Sequence, residues 1–123
     1  MIVDDAPFIR EVLRHLFLSS EVDVVGEAKD GAEAVEIVKA TKPEVVLMDL
    51  VMPNKSGIEA TTEILKELPE TRIIACSTIS QNGMVMRALE AGCCNFVSKP
   101  FKSEEVLKAV RAATKKGSKE AGT

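Results

Sequence analysis

Five short apolar runs alternate along this chain with longer stretches whose apolar residues recur at helical spacing, and few folds are open to such a pattern. Ile2-Val3, 22–26, 45–48, 73–76 and 96–98 read as strands. Behind Pro7, whose missing N–H costs nothing in a first helical turn, Phe8, Ile9, Val12, Leu13, Leu16 and Phe17 form one apolar stripe. Asp30-Gly31-Ala32-Glu33 resembles a capping box opening a second helix, with Ala34, Val35 and Val38 turned inward, and Pro43 helps to end it. Ile58, Thr61, Ile64, Leu65 and Leu68 mark a third helix, stopped by Pro69. A fourth spans 80–91 and ends at Gly92, and Ser103-Glu104-Glu105 caps a fifth through Val106, Leu107 and Val110. The run 45–48 is apolar throughout, as a strand covered on both faces must be. Strands separated by amphipathic helices predict right-handed βαβ units. The fold expected is α/β, a doubly wound five-stranded parallel sheet flanked by five helices.

A chain of 123 residues is one domain by length, here 1–116, with 117–123 expected as a flexible polar tail. Its net charge of −3 argues against a basic face for direct nucleic-acid contact. No apolar run approaches the roughly 20 residues of a membrane span, and no secretory segment is evident, so a cytoplasmic protein is expected. Cys76, Cys93 and Cys94 are an odd set without a C-x-x-C, and they read as small, semi-buried residues. His15 falls with Arg10, Glu11 and Arg14 on the polar side of its helix, which makes it a surface residue. Four Phe with no Trp or Tyr leave little for base or flavin stacking. Met48, Met52, Met84 and Met86 read as core or helix-forming methionines before a partner surface. The first strand is short for a central one, and residues are expected upstream of Met1.

The residues with chemistry share one address. Asp4 and Asp5 follow the first strand, Asp49 ends the third, Ser77 the fourth and Lys99 the fifth. All lie at carboxyl ends of parallel strands, where open α/β sheets place their sites. Three carboxylates converging there repel one another unless a cation neutralises them. Oxygen donors without nearby Cys or His favour a hard ion such as Mg²⁺. Adjacent acids before a helix are ordinarily an N-cap and a dipole partner, and Asp49 alone says little. The joint spacing with Ser77 and Lys99 is what carries the reading.

Ile2-Val3-Asp4-Asp5, Met48-Asp49-Leu50-Val51-Met52-Pro53, Gly57, Ser77 and Lys99-Pro100-Phe101 together resemble the receiver domains of two-component response regulators, over nearly the whole chain. The resemblance is strongest to the family's single-domain chemotaxis members. It implies the flavodoxin-like strand order 2-1-3-4-5 and phosphorylation of Asp49 by a histidine kinase. It also implies Mg²⁺ held by Asp4, Asp5, Asp49 and the backbone carbonyl of Val51. Lys99 would pair with the phosphoryl oxygens and Ser77 would hydrogen-bond to them, while Phe96 would turn inward as the switch aromatic. The Lys99-Pro100 bond would be cis. The surface of the fourth helix, fifth strand and fifth helix would then bind a target such as a flagellar motor protein, with a phosphatase as a further partner. The unphosphorylated protein would be a monomer. The domain would catalyse its own phosphorylation and dephosphorylation only. Val51 and Ile79 are apolar where some relatives orient water, which implies a long-lived phosphoryl group.

Two alternatives remain at this point. One is a receiver cut from a longer regulator with its own output domain. The other, a Mg²⁺-dependent aspartyl phosphatase of the haloacid-dehalogenase type, needs a second Asp two residues after the nucleophile; Val51 stands there instead. A flavodoxin-like electron carrier fits poorly, since Asp4-Asp5-Ala6-Pro7 is acidic where a phosphate cradle should be rich in Gly, Ser or Thr.

Overall fold

Alternation within the apolar runs decides how the sheet is covered. Val46 and Met48 point to one face and Leu47 to the other; Ile73 and Ala75 likewise oppose Ile74 and Cys76. The protein, seen in a computed structural model, is described over residues 1–78 and 82–114. Its elements are β1 (Ile2–Val3), α1 (Pro7–Leu18), β2 (Glu27–Ala28), α2 (Gly31–Thr41), β3 (Val45–Asp49), α3 (Gly57–Glu67), β4 (Arg72–Ser77), α4 (Asn82–Ala91), β5 (Asn95–Ser98) and α5 (Ser103–Ala113). All strand pairs are parallel, and the order is β2-β1-β3-β4-β5. The expected fold is therefore the observed one. One core joins α2, α3 and α4 to the sheet through Val35, Val38, Ile64 and Ala88, and the other joins α1 and α5 through Leu13, Phe17, Val106 and Val110. Met48 is fully buried, and Met52 and Met84 pack against the first core. Met86 is exposed.

Several expectations are corrected. The second strand falls at Glu27–Ala28 rather than 22–26. The cause is β1, whose two residues pair Ile2 with Glu27 and Val3 with Ala28, so a ladder can form only there. Val22 and Val24 still pack against the core. The α1 stripe is narrower than its six residues suggested. Leu13 and Phe17 are buried and Ile9 and Leu16 half-buried, but Phe8 is 71% exposed and Val12 also faces outward. Each residue step rotates about 100°, so 9, 13, 16 and 17 face the sheet and 8 and 12 turn away. Ser103 is the first residue of α5 and no cap; Lys102 is the N-cap, without a side-chain bond.

Elsewhere local chemistry acts as read. Asp30 caps α2 by accepting from the Glu33 N–H at 2.8 Å. Lys42, at φ +47°, turns the chain out of that helix before Pro43. Gly92 ends α4 at φ +119°, where a Cβ would sit 2.4 Å from Leu65 Cδ1. The sequence reading missed one full capping box, between Ser56 and Glu59 at the start of α3. The expected start of α4 at Ser80 and the tail 117–123 lie outside the described residues.

Candidate functional site

Because the strands are parallel, the chain leaves each of them at the same edge, and the acids and the amine arrive there from separate elements. Asp4 follows β1 and is held on three sides. Its N–H donates to Ala28 O at 3.0 Å. Its Oδ1 accepts from the Ala6 N–H at 2.9 Å, and its carbonyl accepts from Arg10 Nη1 at 2.7 Å. Asp5, next along, is exposed. Asp49 is buried at the end of β3. One carboxylate oxygen from each of Asp4, Asp5 and Asp49 lies within 4.8 Å of the others. Lys99, just past β5, places Nζ 2.8 Å from Asp4 Oδ2 and 3.5 Å from Asp49 Oδ1. Its peptide bond to Pro100 is cis.

The electrostatics follow from this crowding. Burial, then the charge of Asp4, pushes the Asp49 carboxyl up to about 6; Lys99 and the Val51 N–H, which donates to Asp49 Oδ1 at 3.3 Å, pull the other way. Burial works against the charge on Lys99, but its bond to Asp4 and the charge of Asp49 outweigh that and hold it above its usual range. The donor set is all oxygen and strongly negative, so it fits a hard divalent cation such as Mg²⁺.

The structure thus brings together Asp4, Asp5, Asp49 and Lys99 as expected from their spacing. Ser77 is buried at the end of β4, beside Cys76, the register partner of Asp49, and its carbonyl accepts from the Lys99 N–H at 2.8 Å. Val51 sits at the mouth of the site, 47% exposed. Ile79 lies outside the described residues. Phe96 lies on β5 beside Ala75 and is 44% exposed. His15 is a surface residue within 3.8 Å of Glu11. Cys76 and Cys93 are buried and Cys94 exposed. Burial pushes the Cys93 thiol up to about 11 and raises the other two, so none is a ready nucleophile at neutral pH.

Arg10 and Asn54 were not anticipated. Arg10 anchors the Asp4 carbonyl and also lies 3.4 Å from Glu27. Asn54 holds φ +66° in the loop after Asp49. Gly57 closes that loop: its N–H donates to Leu50 O at 3.1 Å, and a Cβ would lie 2.1 Å from Asp49 O. The signals were present, since an arginine five residues after an acidic pair reaches back along a helix, and Asn is the side chain that best tolerates a left-handed turn.

Comparison with known proteins shows the family. A family model described as the response regulator receiver domain matches residues 1–111. The chemotaxis protein CheY of Thermotoga maritima is 43% identical over 115 residues, covering 94% of this chain and 96% of that one. The transcriptional regulatory protein LiaR of Bacillus subtilis is 37% identical over 94% of this chain but only 55% of its own length. Among solved structures, the CheX-CheY-BeF₃-Mg²⁺ complex from Borrelia burgdorferi matches with a TM-score of 0.84 at 31% identity, covering 90% of this chain and 84% of that one. No described helix is long and apolar enough to cross a membrane.

Proposed function

The chain belongs to the response regulator receiver domain family, and from that premise we propose a phosphorylation-switched signalling module of chemotaxis or motility, with Asp49 as its phosphoryl acceptor. The observation that carries this is the convergence of three carboxylates and Lys99 Nζ at one sheet edge. A carboxyl titrating near 6 is mostly ionised at neutral pH, so Asp49 can attack. Its oxygen forms a P–O bond as the P–N bond of a kinase phosphohistidine breaks, and the imidazole leaves with the electron pair and takes up a proton. When bound by Asp4, Asp5, Asp49 and the Val51 carbonyl, Mg²⁺ supplies charge neutralisation for the incoming phosphoryl oxygens. Lys99 exchanges its bond to Asp4 for one to those oxygens, and Ser77 donates to them from β4. Ser77 drawn toward the phosphoryl group vacates space beside β4, and Phe96 turns inward to fill it. The α4-β5-α5 surface changes with it and meets a motor or other chemotaxis target. The CheY relatives support chemotaxis, and the Borrelia complex, a related protein recorded with BeF₃ and Mg²⁺, supports Mg²⁺ as the cation.

A second reading is favoured by LiaR, of which this chain spans about half: a receiver whose switch serves transcription. One experiment tests the acceptor. Incubation with acetyl phosphate and Mg²⁺ should add a single phosphoryl mass to the wild type and none to Asp49→Asn. Labelling of that variant at the wild-type rate would remove Asp49 from the role. Capture of a flagellar motor component by the phosphorylated form alone supports the first reading; phosphorylation-driven dimers without such capture support the second.

A further inference from the structure

Two segments carry the groups assigned to the cation, and residues 27–31 touch both. The turn after β1 carries Asp4 and Asp5, while the loop after β3 carries Val51, whose carbonyl the proposed function gives to the cation. Toward the first, Ala28 O accepts from the Asp4 N–H at 3.0 Å, and Glu27 lies 3.4 Å from Arg10, the residue that grips the Asp4 carbonyl. Toward the second, the Gly31 N–H donates to Lys55 O at 3.1 Å, and Asn54 Nδ2 donates to Asp30 Oδ2 at 3.3 Å. The approach at Gly31 is close enough that a Cβ would lie 2.4 Å from Lys55 O and 2.9 Å from its carbonyl carbon. Asp30 divides its labour, since Oδ1 caps α2 through the Glu33 N–H and Oδ2 takes the Asn54 amide. The cap does not need the second oxygen. That oxygen serves the loop.

We propose that Asp30 and Asn54 are positioning residues for the cation site, fastening the loop 50–56 to the start of α2 and so setting where the Val51 carbonyl stands relative to Asp4 and Asp5. The inference rests on the reading of those four groups as a cation site. Neither residue belongs to that set. Their effect is preorganisation: a loop held in place binds the ion without first being ordered, and a loop released from the clamp presents the competent arrangement for a smaller fraction of the time.

The test uses variants chosen to spare the local fold. Asp30→Ser keeps an N-cap acceptor but loses the second oxygen. Asn54→Gly keeps the left-handed backbone but loses the amide. Titration of the full chain with Mg²⁺ alone, followed by calorimetry, should show each variant binding about threefold more weakly, the loss expected for one modest hydrogen bond. The double variant should be no weaker than either single one, because both remove the same bond. The Mg²⁺ concentration for half-maximal labelling by acetyl phosphate should rise by the same factor, and excess Mg²⁺ should recover the lost rate. Lowered stability with an unchanged Mg²⁺ affinity would assign the pair a structural role only and overturn the proposal. Wild-type protein that binds no Mg²⁺ would sink the cation reading itself, and this inference with it.

Discussion

A carboxylate that accepts a phosphoryl group must be ionised, and Asp49 occupies a place where ionisation is costly. Burial and the neighbouring Asp4 raise it from an ordinary 3.8 to about 6. The folded protein therefore binds this proton more tightly than the unfolded chain does. The stabilisation it brings is full below about 4 and is lost as pH rises through about 6. At pH 7.5 without divalent cation the ionised group is a burden, and Asp49→Asn should raise the unfolding free energy by about 1–3 kcal/mol. The gain should shrink as pH falls from 7 toward 4, where the wild-type carboxyl is itself neutral. Urea unfolding of both proteins across that range checks it; an equal gain at every pH would mean that some other contact is responsible.

At the scale of elements, caps and pairing do what the apolar pattern cannot. The Ser56 hydroxyl accepts from the Glu59 N–H at 3.2 Å, and the Glu59 side chain returns the bond to the Ser56 N–H. Ser56→Ala should cost about 1 kcal/mol of stability and leave labelling of Asp49 intact, with thermal unfolding and intact mass as the two readings. The legibility of each element follows from how local its cause is. β3 and β4 announced themselves because strands covered on both faces must be apolar throughout. Ala34, Val35 and Val38 were readable for a similar reason, as one helical stripe against one sheet. β2 was misplaced because its position is not written in 22–26; it is imposed by the two residues of β1 that it pairs with. Phe8 misled because hydrophobic spacing gives a stripe's centre better than its width. In the site, Asp4, Asp5, Asp49, Ser77 and Lys99 could be found because strand ends put them at one address. Arg10 and Asn54 hold backbone groups, and nothing in a side chain's identity says which carbonyl it will meet.

For the whole molecule, the site couples strands that are far apart in the chain. A ligand that binds only the assembled edge stabilises everything that the edge requires. Mg²⁺ at ten times its dissociation constant should therefore raise the global unfolding free energy by about 1.4 kcal/mol over protein in a chelator. Denaturant midpoints in the two buffers test this, and coincident curves would argue that the acids hold no ion. The same coupling has a consequence for synthesis. Asp4 is synthesised before its partner, since the amine that meets it belongs to residue 99, 95 positions later. A nascent chain that already displays β1 and β3 thus carries its acidic cluster without Lys99. Closure of the edge therefore waits for β5, and a ribosome that stalls before that strand holds an edge whose charges still repel.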